Sequence, residues 1–176
     1  YITHHQINLS NDVKETVNLI LILTIIFYIF NLFGIVYLGD SGSYLLSFSI
    51  GFILIKLQQE SNLLAPYYIA NMLWYPAFEN LFSLLRRYSK KSKISLADKL
   101  HLHQLIFRFL KSKNIVKNNR VNTLSGLIIV SFNLPMIYFA TIFYYHSIYL
   151  ISIIVCNLII YLLIYYVLSK NFKFKK

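Results

Sequence analysis

Long apolar runs alternate with short polar breaks along the chain. Residues 17–38 hold no Asp, Glu, Lys or Arg in 22 positions, enough for a helix to cross a bilayer core of roughly 30 Å. A polar break follows at 39–43. Residues 44–57 are apolar but short, and they span if the helix starts near Ser41, runs to about Gln59 and lets Lys56 snorkel to the interface. Residues 63–85 form a third run, interrupted by Pro66, Asn71, Pro76, Glu79 and Asn80. Residues 121–145 form a fourth, with Asn133 and Pro135 near its middle, and 148–168 a fifth that is almost wholly apolar. No internal repeat is visible. The pattern predicts an all-α fold: a polytopic transmembrane helical bundle of about five spans, built as one membrane domain over residues 1–176.

The basic residues then orient the bundle. Of seventeen Lys and Arg, eleven fall in the 86–120 loop and four in the tail, at Lys170, Lys173, Lys175 and Lys176. Only Lys14 and Lys56 lie elsewhere. The positive-inside rule places loop and tail in the cytoplasm, and alternation brings the 39–43 break to the same side. Within the loop, residues 97–113 set Leu100, Leu102, Ile106, Phe107, Phe109 and Leu110 at near-helical spacing among basic residues. That reads as an amphipathic helix on the membrane surface, with Asp98 as a favourable charge at its start.

Composition narrows the class. Apolar residues make up 57% of the chain and charged residues 13%, about half the charge of a soluble domain. A soluble enzyme, a disordered segment and a disulfide-stapled module are excluded. The net charge of +11 would suggest nucleic acid on a soluble protein, but topology accounts for it, so the expected partner is the bilayer and not nucleic acid. Cys156 is the single cysteine, and no intrachain disulfide forms. The chain starts at Tyr1 without an initiator Met or a signal peptide pattern, and is expected to be a piece of something longer.

Three polar features fall on the predicted cytoplasmic side. Gly39-Asp40-Ser41-Gly42-Ser43 is either a tight turn or an acidic residue beside the N–H groups of a helix N-terminus, suited to Mg²⁺ held against a phosphate. Glu79 is an ionisable residue inside a span, which marks a site unless it reaches the interface or pairs with Arg86 or Arg87. His101 and His103 are two apart, so on a helix they do not share a face. They are either ordinary surface histidines or contacts for phosphate oxygens. His4, His5 and His146 fall on the opposite side.

The segments YLGDSGSYLLSFSIG, WYPAFENLFSLLRR and DKLHLHQLIFRFL, in that order, resemble the C-terminal half of the polyprenyl-phosphate N-acetylhexosamine-1-phosphate transferases. This membrane family (glycosyltransferase family 4) includes the undecaprenyl-phosphate GlcNAc-1-phosphate transferases. The likeness covers residues 31–110. It implies that Asp40 helps hold a catalytic Mg²⁺, with Mn²⁺ as a substitute, and that His101 and His103 contact the substrate phosphates. Gln104 stands where the family has a third histidine, and Glu79 where it usually has Asp. The family's upstream Asp-Asp pair and Asn-x-x-Asn-x-x-Asp segment have no counterpart here, so the expected chain is the C-terminal half of a longer enzyme.

The resemblance further implies a phosphotransferase of the bacterial inner membrane. It would move a sugar 1-phosphate, with GlcNAc favoured, from a UDP-N-acetylhexosamine to undecaprenyl phosphate for cell-envelope glycan synthesis. Arg86, Arg87, Gln104 and Glu79 are expected around the substrate. The alternative is a non-catalytic scaffold or a transporter-like protein with an anion-binding loop. A homodimer is left open.

Overall fold

The computed structural model describes residues 10–61, 64–89, 100–117 and 120–173, with 171–173 described by backbone alone. Asp98, Lys90, Lys91, Lys93, Lys99, His4 and His5 lie outside the described residues. Within them the chain is all-helical: α1 (Asn11–Leu32), α2 (Gly39–Glu60), α3 (Pro66–Ser89), α4 (Leu102–Ser112), α5 (Val121–Ile142) and α6 (Ser147–Lys173). It divides into two units, residues 1–64 and 65–176.

The first unit is a helical hairpin. Its first helix ends six residues before the apolar run does, because Gly34 takes the left-handed conformation at φ +71°. The Gly34 N–H bonds the Asn31 carbonyl and the Ile35 N–H the Phe30 carbonyl, a Schellman stop that hydropathy cannot show. Asn31 Nδ2 ties the turn to the Val36 carbonyl at 2.9 Å. Gly39, at φ +63°, then opens α2. The 39–43 break is therefore the first turn of a helix and not a free-standing turn. At the far end of the hairpin, the Ser10 N–H and hydroxyl both donate to the Glu60 carboxylate at 2.9 Å.

The second unit is a bundle of α3, α5 and α6 with α4 packed at one end. Asn71 donates to the Leu150 carbonyl near the start of both α3 and α6, and further along Phe78 meets Tyr161 and Phe82 meets Tyr165. The numbers rise together, so α3 and α6 run parallel. Trp74 faces Phe132, while the Ala65 N–H bonds the Tyr144 carbonyl, so α5 runs antiparallel to α3. The C-termini of α3 and α6 and the N-terminus of α5 therefore share one end, as a common side for the basic loop and tail requires.

Helices α1, α2, α5 and α6 are long and apolar enough to cross a membrane. Their surfaces carry exposed Leu19, Ile22, Leu45, Phe48, Leu134 and Leu163, side chains that belong against lipid and not water. The protein is a helical membrane protein. The third expected span differs from these four. α3 has the length, about 36 Å for 24 residues, but its polar residues lower its apolarity. Asn71, Glu79 and Ser83 are all buried, facing protein.

The short helix α4 departs from expectation in another way. Leu102, Leu105, Ile106 and Leu110 are buried together with Trp74, Val121, Tyr161 and Leu168. Its apolar stripe packs into the bundle and does not lie on the membrane surface. An amphipathic pattern specifies an apolar neighbour without distinguishing lipid from protein. Asn114, at φ 51°, ends the helix in a second Schellman arrangement.

Candidate functional site

Glu79, Ser83 and Arg86 recur at helical spacing on one face of α3, and that face meets the start of α4. Glu79 is only 7% exposed. Its Oε1 accepts a 2.8 Å hydrogen bond from the Leu102 N–H and lies 3.1 Å from His101 Nδ1. The Leu102 N–H is one of the orphan donors of the first helical turn, so the carboxylate caps α4 from another helix and complements its dipole. The Tyr75 and Tyr161 hydroxyls lie within electrostatic reach of the same carboxylate. Burial of Glu79 thus has a cause more specific than snorkelling: it fastens the loop to the bundle.

His101 occupies the N-cap position of α4 with extended backbone, φ −66° and ψ 151°. His103 lies in the first turn. Their rings stack 5.6 Å apart at 12°. The expectation that residues two apart point away from each other fails here, because it applies inside a helix and His101 sits just outside one. The Glu79 contact holds the His101 ring by its Nδ1 edge and so fixes how the ring is presented. His103 keeps exposed surface, yet the protein around its ring pushes its pKa below the usual histidine value. The Glu79 carboxylate opposes that shift, and His101 adds to it.

Arg86 was expected among the substrate contacts. Its Nη1 donates to the Leu100 carbonyl at 2.7 Å and to the Tyr165 hydroxyl. The guanidinium carbon lies 6.0 Å from the Phe82 ring centre and 5.6 Å from that of Tyr165. Arg87 is half-buried beside it in the last turn of α3.

Gln104 opens onto a cleft of ≈ 420 Å³ between α4 and α5, lined also by His103, Phe107, Arg108, Asn122 and Ser125. Its Oε1 is buried without a hydrogen-bond partner. Arg108, Asn122 and Ser125 were not singled out in the sequence. A signal existed for Arg108, which is four residues after Gln104 and so on the same helical face. Asn122 and Ser125 become visible only through the packing of α5 on α4.

Asp40 belongs to the first unit. It is exposed in the first turn of α2. Among the described residues, no three His, Cys, Asp or Glu side chains converge. Mg²⁺ in phosphate sites commonly takes one or two carboxylates together with phosphate oxygens and water. One exposed carboxylate fits a metal shared with a substrate phosphate and does not fit a cage made by these residues alone. Glu79 is committed to His101 and Leu102.

The structure therefore brings Glu79, Arg86, His101, His103 and Gln104 together at one end of the second unit. No protein-family model, curated protein or solved structure matches the chain.

Proposed function

We propose that the chain serves transfer of a sugar 1-phosphate from a UDP-N-acetylhexosamine, GlcNAc in particular, to undecaprenyl phosphate. An oxygen of the lipid phosphate attacks the β-phosphorus of the nucleotide sugar, the bond from that phosphorus to the bridging oxygen breaks, and UMP leaves. The observation that carries the reading is the Glu79–His101–Leu102 junction. It joins two of the motifs behind the family resemblance, WYPAFEN and HLHQ, through a buried carboxylate.

His101 and His103 form a stacked imidazole pair, and His103 lines a polar cleft. Such a pair can donate hydrogen bonds to phosphate oxygens and offset their charge. Gln104 and Arg108 line the same cleft and add donors, and Arg87 is a further expected substrate contact. Mg²⁺ or Mn²⁺, held in part by Asp40, would draw charge from the diphosphate. The isoprenoid tail of the acceptor would lie along the apolar helices. The parallel course of α3 and α6 supports a topology with the basic loop and tail on the cytoplasmic face of a bacterial inner membrane.

The test is UMP release from UDP-GlcNAc in membranes that contain the full-length protein and undecaprenyl phosphate. Asp40→Asn should abolish release and also remove a Mn²⁺ signal that appears on adding nucleotide sugar. Undiminished release would end the metal role, and a wild-type rate for His103→Ala would return the histidines to ordinary surface residues.

A further inference from the structure

The peptide groups on either side of His101 are both held from one face of α3. Glu79 accepts from the Leu102 N–H at 2.8 Å, and Arg86 donates to the Leu100 carbonyl at 2.7 Å. The two side chains are seven residues apart, two helical turns or about 10 Å of rise. Helical side chains lean toward the N-terminus, so the long Arg86 arm reaches back toward Glu79 and closes that distance. His101 lies between the two contacts, in the extended conformation that seats it at the cap of α4.

Arg86 is itself held. Its guanidinium lies near the Phe82 and Tyr165 rings, and the Nη1 that binds Leu100 also donates to the Tyr165 hydroxyl. A guanidinium nitrogen has two hydrogens in a fixed plane, so one atom serves both acceptors while the rings hold the plane. An ammonium has no such plane. Tyr165 comes from α6, and so this one side chain registers α3, α6 and the loop end together.

We propose that Arg86 is a positioning residue. With Tyr165 behind it and Glu79 beside it, it fixes the Leu100–Leu102 backbone so that His101 and His103 are stacked and aimed before any ligand arrives. The role assigned to the histidines rests on the transferase reading; the clamp itself does not. Arg86 and Tyr165 act through His101 and contribute to turnover without adding to donor affinity.

Two readouts test this on the full-length protein in nanodiscs. The first is amide hydrogen exchange over residues 100–106, which needs no substrate. Arg86→Lys should speed exchange at Leu102 and its neighbours by about tenfold or more, and Arg86→Ala by at least as much. Exchange unchanged from wild type would overturn the clamp, whatever reaction the protein performs.

The second readout is kinetic. Arg86→Lys should lower kcat by about tenfold or more and leave KM for UDP-GlcNAc within about twofold. Tyr165→Phe should lower kcat less, and the double variant should be no worse than Arg86→Lys alone, because both changes break one device. A raised KM with kcat intact would make Arg86 a substrate contact and overturn the proposal. Absence of turnover in the wild type would defeat the transferase reading instead, and exchange alone would then decide the clamp.

Discussion

Glu79→Gln separates the charge of the buried carboxylate from its shape. The amide oxygen can still accept from the Leu102 N–H and from His101 Nδ1, at 2.8 and 3.1 Å in the native chain. Hydrogen bonds to a charged acceptor contribute about 1.5–3 kcal/mol, against about 0.5–1.5 kcal/mol for a neutral one. Two bonds that each lose about 1 kcal/mol weaken the junction by about 2 kcal/mol in all. At 1.4 kcal/mol per factor of ten, that is roughly a 30-fold rise in the population with the loop end detached. Little of this is lost to solvent screening, because Glu79 is 7% exposed. Amide exchange at Leu102 reads that population directly, and Glu79→Asp should raise it as well, since the shorter arm stops short of the N–H. Wild-type protection in Glu79→Gln would show that the carboxylate charge contributes nothing to the junction and would refute the reasoning.

Two further outcomes are expected. His103 starts from a lowered pKa, whereas a bound diphosphate would raise it, so donor binding takes up a proton. Affinity for UDP-GlcNAc should thus be greatest below the free-state pKa and weaken as pH rises toward the bound-state pKa. The slope is at most about tenfold per pH unit for one proton, and it should diminish in His103→Gln; a pH-independent Kd would contradict the assignment. Leu105, fully buried in the bundle, should cost about 2–5 kcal/mol when cut to Ala. Thermal unfolding in detergent would show that loss as a lowered Tm, whereas an unaltered Tm would return α4 to the membrane surface.

Some of this was legible in the residues and some was not. Three spans could be read because uncharged runs of this length have few other uses, and the second only by letting Lys56 reach the interface. The end of α1 could not, because Gly34 sits inside an apolar run and stops the helix through backbone geometry. Glu79 stood out as a charge within a span, but its partner depended on a contact 22 residues away along the chain. The histidines were visible as residues and misplaced as a pair, since stacking follows from one of them being a cap. Arg86 was expected as a substrate contact or a partner for Glu79. Its role follows from Tyr165 on α6, nearly eighty residues later, which no local pattern encodes. The destination of α4 was hidden for a related reason, because lipid and a protein core satisfy the same apolar stripe.

The central claim concerns which bond breaks, and the fate of one phosphorus atom tests it. Membranes containing the full-length protein, undecaprenyl phosphate and Mg²⁺ are given UDP-GlcNAc labelled with phosphorus-32 at the β position. Sugar 1-phosphate transfer predicts that the label enters the organic-extractable lipid together with the sugar, in equal amounts, with Glu79→Gln slowing both alike. Label that stays with the nucleotide while the sugar moves, or no transfer at all, would contradict the account.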